Sequence, residues 1–135
     1  MSGPTVARLL RWPTAAALTV AAIAHVPVIP GHLRDAPYMG VLFVAFTVVA
    51  AALAVTVALR GSASLPFVIS GVVCAVAIAT YCLTRLVAFP QLGDDVGNWG
   101  ETLGLVSIAS EAVVVALSVA AAGRMGSFRL FAESS

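Results

Sequence analysis

Four runs of apolar residues, each near or above the length that crosses a bilayer, occupy most of this chain and constrain its fold more than any other feature. Roughly 20 apolar residues at about 1.5 Å each cross about 30 Å of hydrocarbon. The runs cover 13–29, 38–59, 65–89 and 99–122, which is 17, 22, 25 and 24 residues. Val and Thr are frequent in all four. Their β-branching does not override the need of a lipid-exposed backbone to satisfy its own amides, and within one short segment only a helix does so. The connections are short: Pro30, Gly31 and Pro37 mark the first, Arg60 to Ser64 form the second, and 90–98 make the third. The sequence therefore predicts an all-α integral membrane four-helix bundle, a single domain over 1–135, with sequential helices antiparallel in an up-down-up-down order.

Composition agrees. Hydrophobic residues make up 61% of the chain and charged residues 10%, against about 45–50% and about 25% in an ordinary soluble domain. Seven Arg, no Lys and six acidic residues leave a net charge of +1. That excludes the basic surface on which nucleic-acid binding depends. Orientation follows from the arginines, because short cytoplasmic loops retain positive charge. Arg8, Arg11, Arg60, Arg124 and Arg129 fall on one side, and Asp35, Asp94, Asp95 and Glu101 share the other with Arg34 and Arg85. Both termini are expected in the cytoplasm, and the protein in the cell inner (plasma) membrane. Trp12 and Trp99 then fall at opposite interfaces and Tyr38 at the outer one, where amphipathic rings prefer to sit. Val6, Leu9 and Leu10, and Met125, Phe128 and Phe131, read as interfacial anchors.

The first run has two readings. Arg8 and Arg11 precede an apolar stretch ending in Ala22-Ile23-Ala24, which resembles a signal-peptide cleavage site. Apolar residues continue past it through Val26, Val28 and Ile29, which favours an uncleaved helix, short or bent near Pro27.

Polar residues that name a chemistry are few. Cys74 and Cys82 lie eight residues apart, about 12 Å along one helix, beyond the roughly 4.4–6.8 Å that a disulfide tolerates between Cα atoms. They read as small packing residues. His25 and His32 are separated by Pro27, Pro30 and Gly31, so one helix does not present both to a haem. A metal site built from them with Asp35 or Asp94 has no supporting ligand spacing. No metal or cofactor is expected. In the bland reading, His32 is a solvated loop residue and His25 a hydrogen-bonded polar group near a helix end.

Charges inside the spans say more, since each costs at least about 2.5–3.5 kcal/mol at the bilayer centre and such residues usually face the bundle interior. Glu111 lies near the middle of the fourth span, and Arg85 in the outer quarter of the third. Each belongs to a stripe of polar and small residues: Gly100, Gly104, Ser107, Glu111 and Ser118 on the fourth span, and Gly71, Cys74, Ile78, Tyr81 and Arg85 on the third. Those stripes are expected to face each other, with Gly100 and Gly104 as a close-packing GxxxG. The first span contributes Thr14, Leu18, Ala21 and His25, and the second Gly40, Phe43 and Thr47. Depth then gathers His25, Thr47, Tyr81, Arg85, Ser107 and Glu111 in the outer half of the bundle. They form either a structural network that sets helix register or an outward-opening pocket for a small molecule, a proton or a quinone head group. Glu111 lies roughly 10 Å deeper than Arg85, so an ion pair between them requires Arg85 to bend inward.

His25 ending the first helix, Gly40-Val41-Leu42-Phe43 opening the second, Tyr81-x-x-Thr84-Arg85 before Pro90 closing the third, and Glu111 within the fourth resemble a group of small four-span integral membrane proteins of actinobacteria. The likeness covers most of 13–122. Arginine without lysine and richness in Ala and Val also fit a high-GC genome. The resemblance implies the architecture and singles out His25, Arg85 and Glu111 without assigning them a role.

Three function classes are compatible. A non-enzymatic accessory or ligand-binding subunit, in the lipid bilayer and within a larger membrane complex or a homo-oligomer, suits the small size and short loops. A small proton-coupled transporter would use the membrane-embedded Glu111, although small multidrug exporters carry that carboxylate in their first helix. An enzyme, or a metal- or quinone-binding protein, comes last, because no nucleophile, base and orienting group stand at an interpretable spacing.

Overall fold

A computed structural model describes residues 3–60 and 63–133, with side chains described within 5–124. The described residues form helices and loops without a strand: α1 (Gly3–His25), a 3₁₀ turn (Val26–Val28), α2 (Ile29–Asp35), α3 (Pro37–Leu59), α4 (Ser64–Leu86), a second 3₁₀ turn (Gly93–Asp95) and α5 (Thr102–Glu133). Four helical stretches are long and apolar enough to cross a membrane: Thr5–Asp35, Pro37–Leu59, Ser64–Leu86 and Thr102–Arg124.

The first stretch spans 31 residues, so it is longer than the 17-residue apolar run. Pro27 sits in the first turn of the 3₁₀ segment and Pro30 in the first turn of α2. The missing N–H of proline costs nothing there, because first-turn amides have no intrahelical acceptor. The chain changes pitch at these prolines and continues. Toward the N-terminus α1 runs back through Arg8 and Arg11, held by a fully buried Ala7 and by Leu10 against the core. The third span stops at Leu86 because Val87 is already extended, and α5 starts only at Thr102. Gly100 therefore lies in a loop, with open space around it. Of the expected anchors, Leu9 is exposed and Leu10 packs inward. The side chains of Met125, Phe128 and Phe131 lie outside the described residues.

Helix α5 packs closely on α1 and α4, and α1 also on α3, whereas α3 and α4 barely touch. One end of the bundle is closed by an alanine-rich core, in which Ala17, Leu18, Ala50, Val57, Phe67 and Val114 bury together. Small side chains let helices approach closely where hydrophobic collapse supplies no force between them. A Cβ at Gly71 would lie 2.9 Å from Cβ of Ser118, and one at Gly104 would lie 2.7 Å from Cε2 of Tyr81, so the α4 and α5 stripes meet. Thr14, Leu18 and Ala21 on α1 are fully buried. Outward surfaces are apolar: Val48, Val55, Val76 and Val119 are each about 60% exposed or more. A soluble monomer rarely shows so continuous an apolar exterior, and in lipid it is the solvated surface.

The other end is organised by the segment between α4 and α5. Tyr38 Oη donates to the Pro90 carbonyl at 2.6 Å, and the Gly97 amide, at a left-handed φ of 77°, donates to the Arg85 carbonyl at 2.9 Å. Ala36, Met39 and Leu92 form a small buried cluster with Phe43 and Phe89 against it. Gly40 allows α3 to cross α2 here, because a Cβ would fall 2.6 Å from the Leu33 backbone nitrogen.

Candidate functional site

Between the closed core and this cap lies a cavity of about 340 Å³, walled by α1, α3, α4 and α5. That volume is within the range of small-molecule sites. The walls differ in character. On α3, Phe43 and Phe46 present rings to it, and on α4 Val73 and Ala77 add aliphatic surface. The polar wall comes from α1, α5 and the C-terminal end of α4. Where α3 and α4 separate, the lining passes through Leu42, Val72 and Val76, all more than half exposed on the outer surface. A second shallow groove continues along that gap past Thr80 and Phe89 to Pro90, under the Tyr38 tie. The cavity thus opens sideways, toward the surface that lipid covers.

Arg85 closes the end of the cavity beneath the α4–α5 loop. It is 5% exposed. One guanidinium nitrogen lies 3.1 Å from Asp95 Oδ2 and another 2.9 Å from Glu101 Oε2, and the group stands 4.4 Å over the Tyr81 ring. The inward bend toward Glu111 does not occur. Loop carboxylates ten and sixteen residues along the chain reach Arg85 first, once the Gly97 amide has turned the segment back onto the end of α4. Stacking on Tyr81 adds a cation–π contact, and the Trp99 ring lies edge-on to Tyr81 at 6.2 Å. The Tyr81 hydroxyl is buried and makes no hydrogen bond among the described residues.

Glu111 lies deeper, 2% exposed. Ser107, one turn earlier on α5, donates to Glu111 Oε1 at 2.7 Å, and the Ser107 oxygen lies 3.5 Å from His25 Nδ1. His25 Nδ1 is 2.8 Å from the Ala21 carbonyl. A carbonyl only accepts, so Nδ1 carries the proton and Nε2 is the nitrogen left with a lone pair in the neutral ring. Ser107 is therefore not activated as a nucleophile by His25: its proton goes to Glu111, and the nearest imidazole nitrogen is a donor. What results is a row of polar groups, carboxyl, hydroxyl and imidazole, along one side of the cavity.

His32 belongs to this site. It is half-buried, bonds the Val28 carbonyl through Nδ1 at 2.9 Å, and packs edge-on against Phe43 at 4.7 Å. His25 meets the same ring at 5.1 Å and Phe46 at 4.6 Å. Phe43 thus stands between the two imidazoles. Among the described residues no three His, Cys, Asp or Glu side chains converge as metal ligands. Cys74 and Cys82 are free.

Five of the six residues singled out from sequence, His25, Tyr81, Arg85, Ser107 and Glu111, line the cavity. Thr47 does not. It is half-buried just beyond Phe46, with no hydrogen-bond partner for its hydroxyl among the described residues. Sequence reasoning missed His32, Phe46, Asp95 and Glu101. The acidic pair had a signal, since it stands in the loop that follows a span with Arg85 in its last turn. Phe43 was on the face expected to turn inward, but Phe46 had no signal, because Phe in an apolar run looks the same facing lipid or cavity.

No family model matches this sequence, and no curated protein or solved structure matches it either.

Proposed function

We propose that this chain is a small multi-pass plasma-membrane protein that binds an amphipathic molecule dissolved in the bilayer, without transforming it. The ligand's polar end sits against the His25, Ser107 and Glu111 wall and its apolar body against Phe43 and Phe46. The observation that carries this reading is the sideways opening: a cavity with buried polar groups on one wall connects to the lipid-facing surface between α3 and α4. Such a mouth suits a molecule that arrives from lipid.

The accompanying topology is up-down-up-down with both termini cytoplasmic. Pairing of Gly71 with Ser118 and of Tyr81 with Gly104 supports opposite directions for α4 and α5. His25 near Ser107, with Arg85 beside Glu101, supports a common outer end for the site. The arginine distribution supports the orientation. One observation favours a second reading, proton-coupled transport: the row from Glu111 through Ser107 to His25 places a carboxyl within the span close to an imidazole.

Photolabelling tests the binding reading. In phosphatidylcholine nanodiscs, a long-chain alcohol carrying a diazirine is expected to leave adducts on Phe43, Phe46 and the Val72–Val76 turn, and Val76→Trp is expected to suppress them by closing the mouth. Adducts spread evenly over outward residues such as Val48, Val55 and Val113, unaffected by Val76→Trp, would overturn it.

A further inference from the structure

The cavity has a charge imbalance that the binding reading alone does not use. Three carboxyl groups line it, those of Asp95, Glu101 and Glu111, against the single guanidinium of Arg85. Arg85 is within ion-pair distance of both Asp95 and Glu101, which already outnumber it. Glu111 is fully inside the bundle, and among the described residues its only hydrogen-bond partner is Ser107 and it has no ion-pair partner. An isolated carboxylate at such depth is costly, and the cost is relieved either by a proton or by a cation that donates hydrogen bonds to it.

Hydrogen-bond roles point the same way. The donors nearest Glu111 are committed: the Ser107 proton to Glu111 itself, and the His25 Nδ1 proton to the Ala21 carbonyl. What remains at this end is acceptor capacity, the carboxyl group of Glu111 and Nε2 of His25. A ligand that fills it must bring donors and positive charge. A carbonyl-bearing head group, which brings only acceptors, finds no free donor beside Glu111 among the described residues; the cavity's unpartnered donors, the Tyr81 hydroxyl and two Arg85 nitrogens, lie at the Arg85 end. Opposite, Phe43 and Phe46 offer ring faces and edges next to His25, and aromatic rings attract a desolvated cation. The apolar mouth between Leu42 and Val76 suits a hydrocarbon chain trailing into lipid.

Resting on the cavity reading above, the geometry points to a long-chain amine, bound as its ammonium, as the ligand class, with Glu111 as the counter-ion and His25 Nε2 as a second acceptor. The ammonium nitrogen donates to Glu111 and His25, and the chain leaves between α3 and α4. Arg85 with its two carboxylates does not contact the head group; it closes the outer end so that the cation approaches only from the bilayer.

Competition against the cavity photolabel tests this, with dodecylamine as the cation and 1-dodecanol as a neutral molecule of the same length, in zwitterionic phosphatidylcholine nanodiscs. In the wild type, dodecylamine is expected to protect Phe43 and Phe46 from labelling at concentrations at least tenfold lower than dodecanol. Glu111→Gln is expected to abolish that advantage while dodecanol still protects, which shows that the variant keeps its cavity. Glu111→Asp, which retains the charge, is expected to keep most of the advantage. Equal protection by amine and alcohol in the wild type, or an advantage that survives Glu111→Gln, overturns the ammonium assignment and leaves the cavity reading standing. Should Glu111→Gln fail to fold, loss of the advantage in Glu111→Asp overturns the assignment and its retention upholds it. Absence of any cavity adduct in the wild type overturns both.

Discussion

Arg85 and Glu111 carry the same information in the sequence, a charge where charge is expensive, yet they solve the problem differently. Arg85 is met by Asp95 and Glu101 and stacked on Tyr81, whereas Glu111 has one hydroxyl. Removing only the arginine leaves two carboxylates facing each other beneath the loop. Arg85→Met is expected to destabilise the protein by about 2–3 kcal/mol, below the roughly 3–5 kcal/mol lost when a fully buried pair is broken, because the acidic side chains are 26% and 37% exposed. Adding Asp95→Asn and Glu101→Gln is expected to recover most of that loss, since neutral amides do not repel. Thermal unfolding of the three variants in detergent measures it, and strictly additive losses would show that the cluster is not coupled. That both charges face inward was legible from their cost in lipid. Which partner Arg85 takes was not, because Asp95 and Glu101 become its neighbours only through a left-handed Gly97 and a folded-back loop.

At the level of elements, glycine positions separate what is packed from what is merely helical. Gly40 faces the Leu33 backbone nitrogen with room for no more than a hydrogen, while Gly31, in α2, has open space around it. Gly40→Ala is therefore expected to push α3 from α2 and to cost about 1–3 kcal/mol by overpacking. Gly31→Ala, with the same chemistry, is expected to be neutral or to stabilise by up to about 1 kcal/mol through helix propensity. Melting temperatures of the two variants give the comparison, and a shared sign would mean that the α2–α3 crossing is looser than described. The crossing itself was hidden, because Pro27, Pro30 and Gly31 read as a break. Proline disturbs a helix least at first-turn positions, where the amide it lacks has no intrahelical acceptor. The GxxxG reading likewise divided: Gly104 meets the Tyr81 ring, and Gly100, outside α5, meets nothing.

For the whole molecule, the proposed orientation is tested by impermeant maleimide on whole cells, with Cys74 and Cys82 first replaced by Ala. A cysteine at Asp94 is expected to react, and one at Arg60 only after permeabilisation; the reverse pattern overturns cytoplasmic termini. Such a test reads features the sequence carries by itself. Span number, helical class and the inward turn of Glu111 follow from length, hydropathy and the cost of an unsatisfied amide or charge in hydrocarbon, which depend on residue type and depth alone. The cavity follows from none of these. It exists because α3 and α4 stay apart while α1 and α5 bind each other and their neighbours closely. Whether two apolar faces touch or leave a gap is decided by the fit of small residues and rings across helices, and lipid is as apolar as either face. Hydropathy therefore cannot distinguish Phe43 and Phe46, which wall the site, from Val48 and Val55, which face the bilayer. Only the packing of four helices against one another makes that distinction.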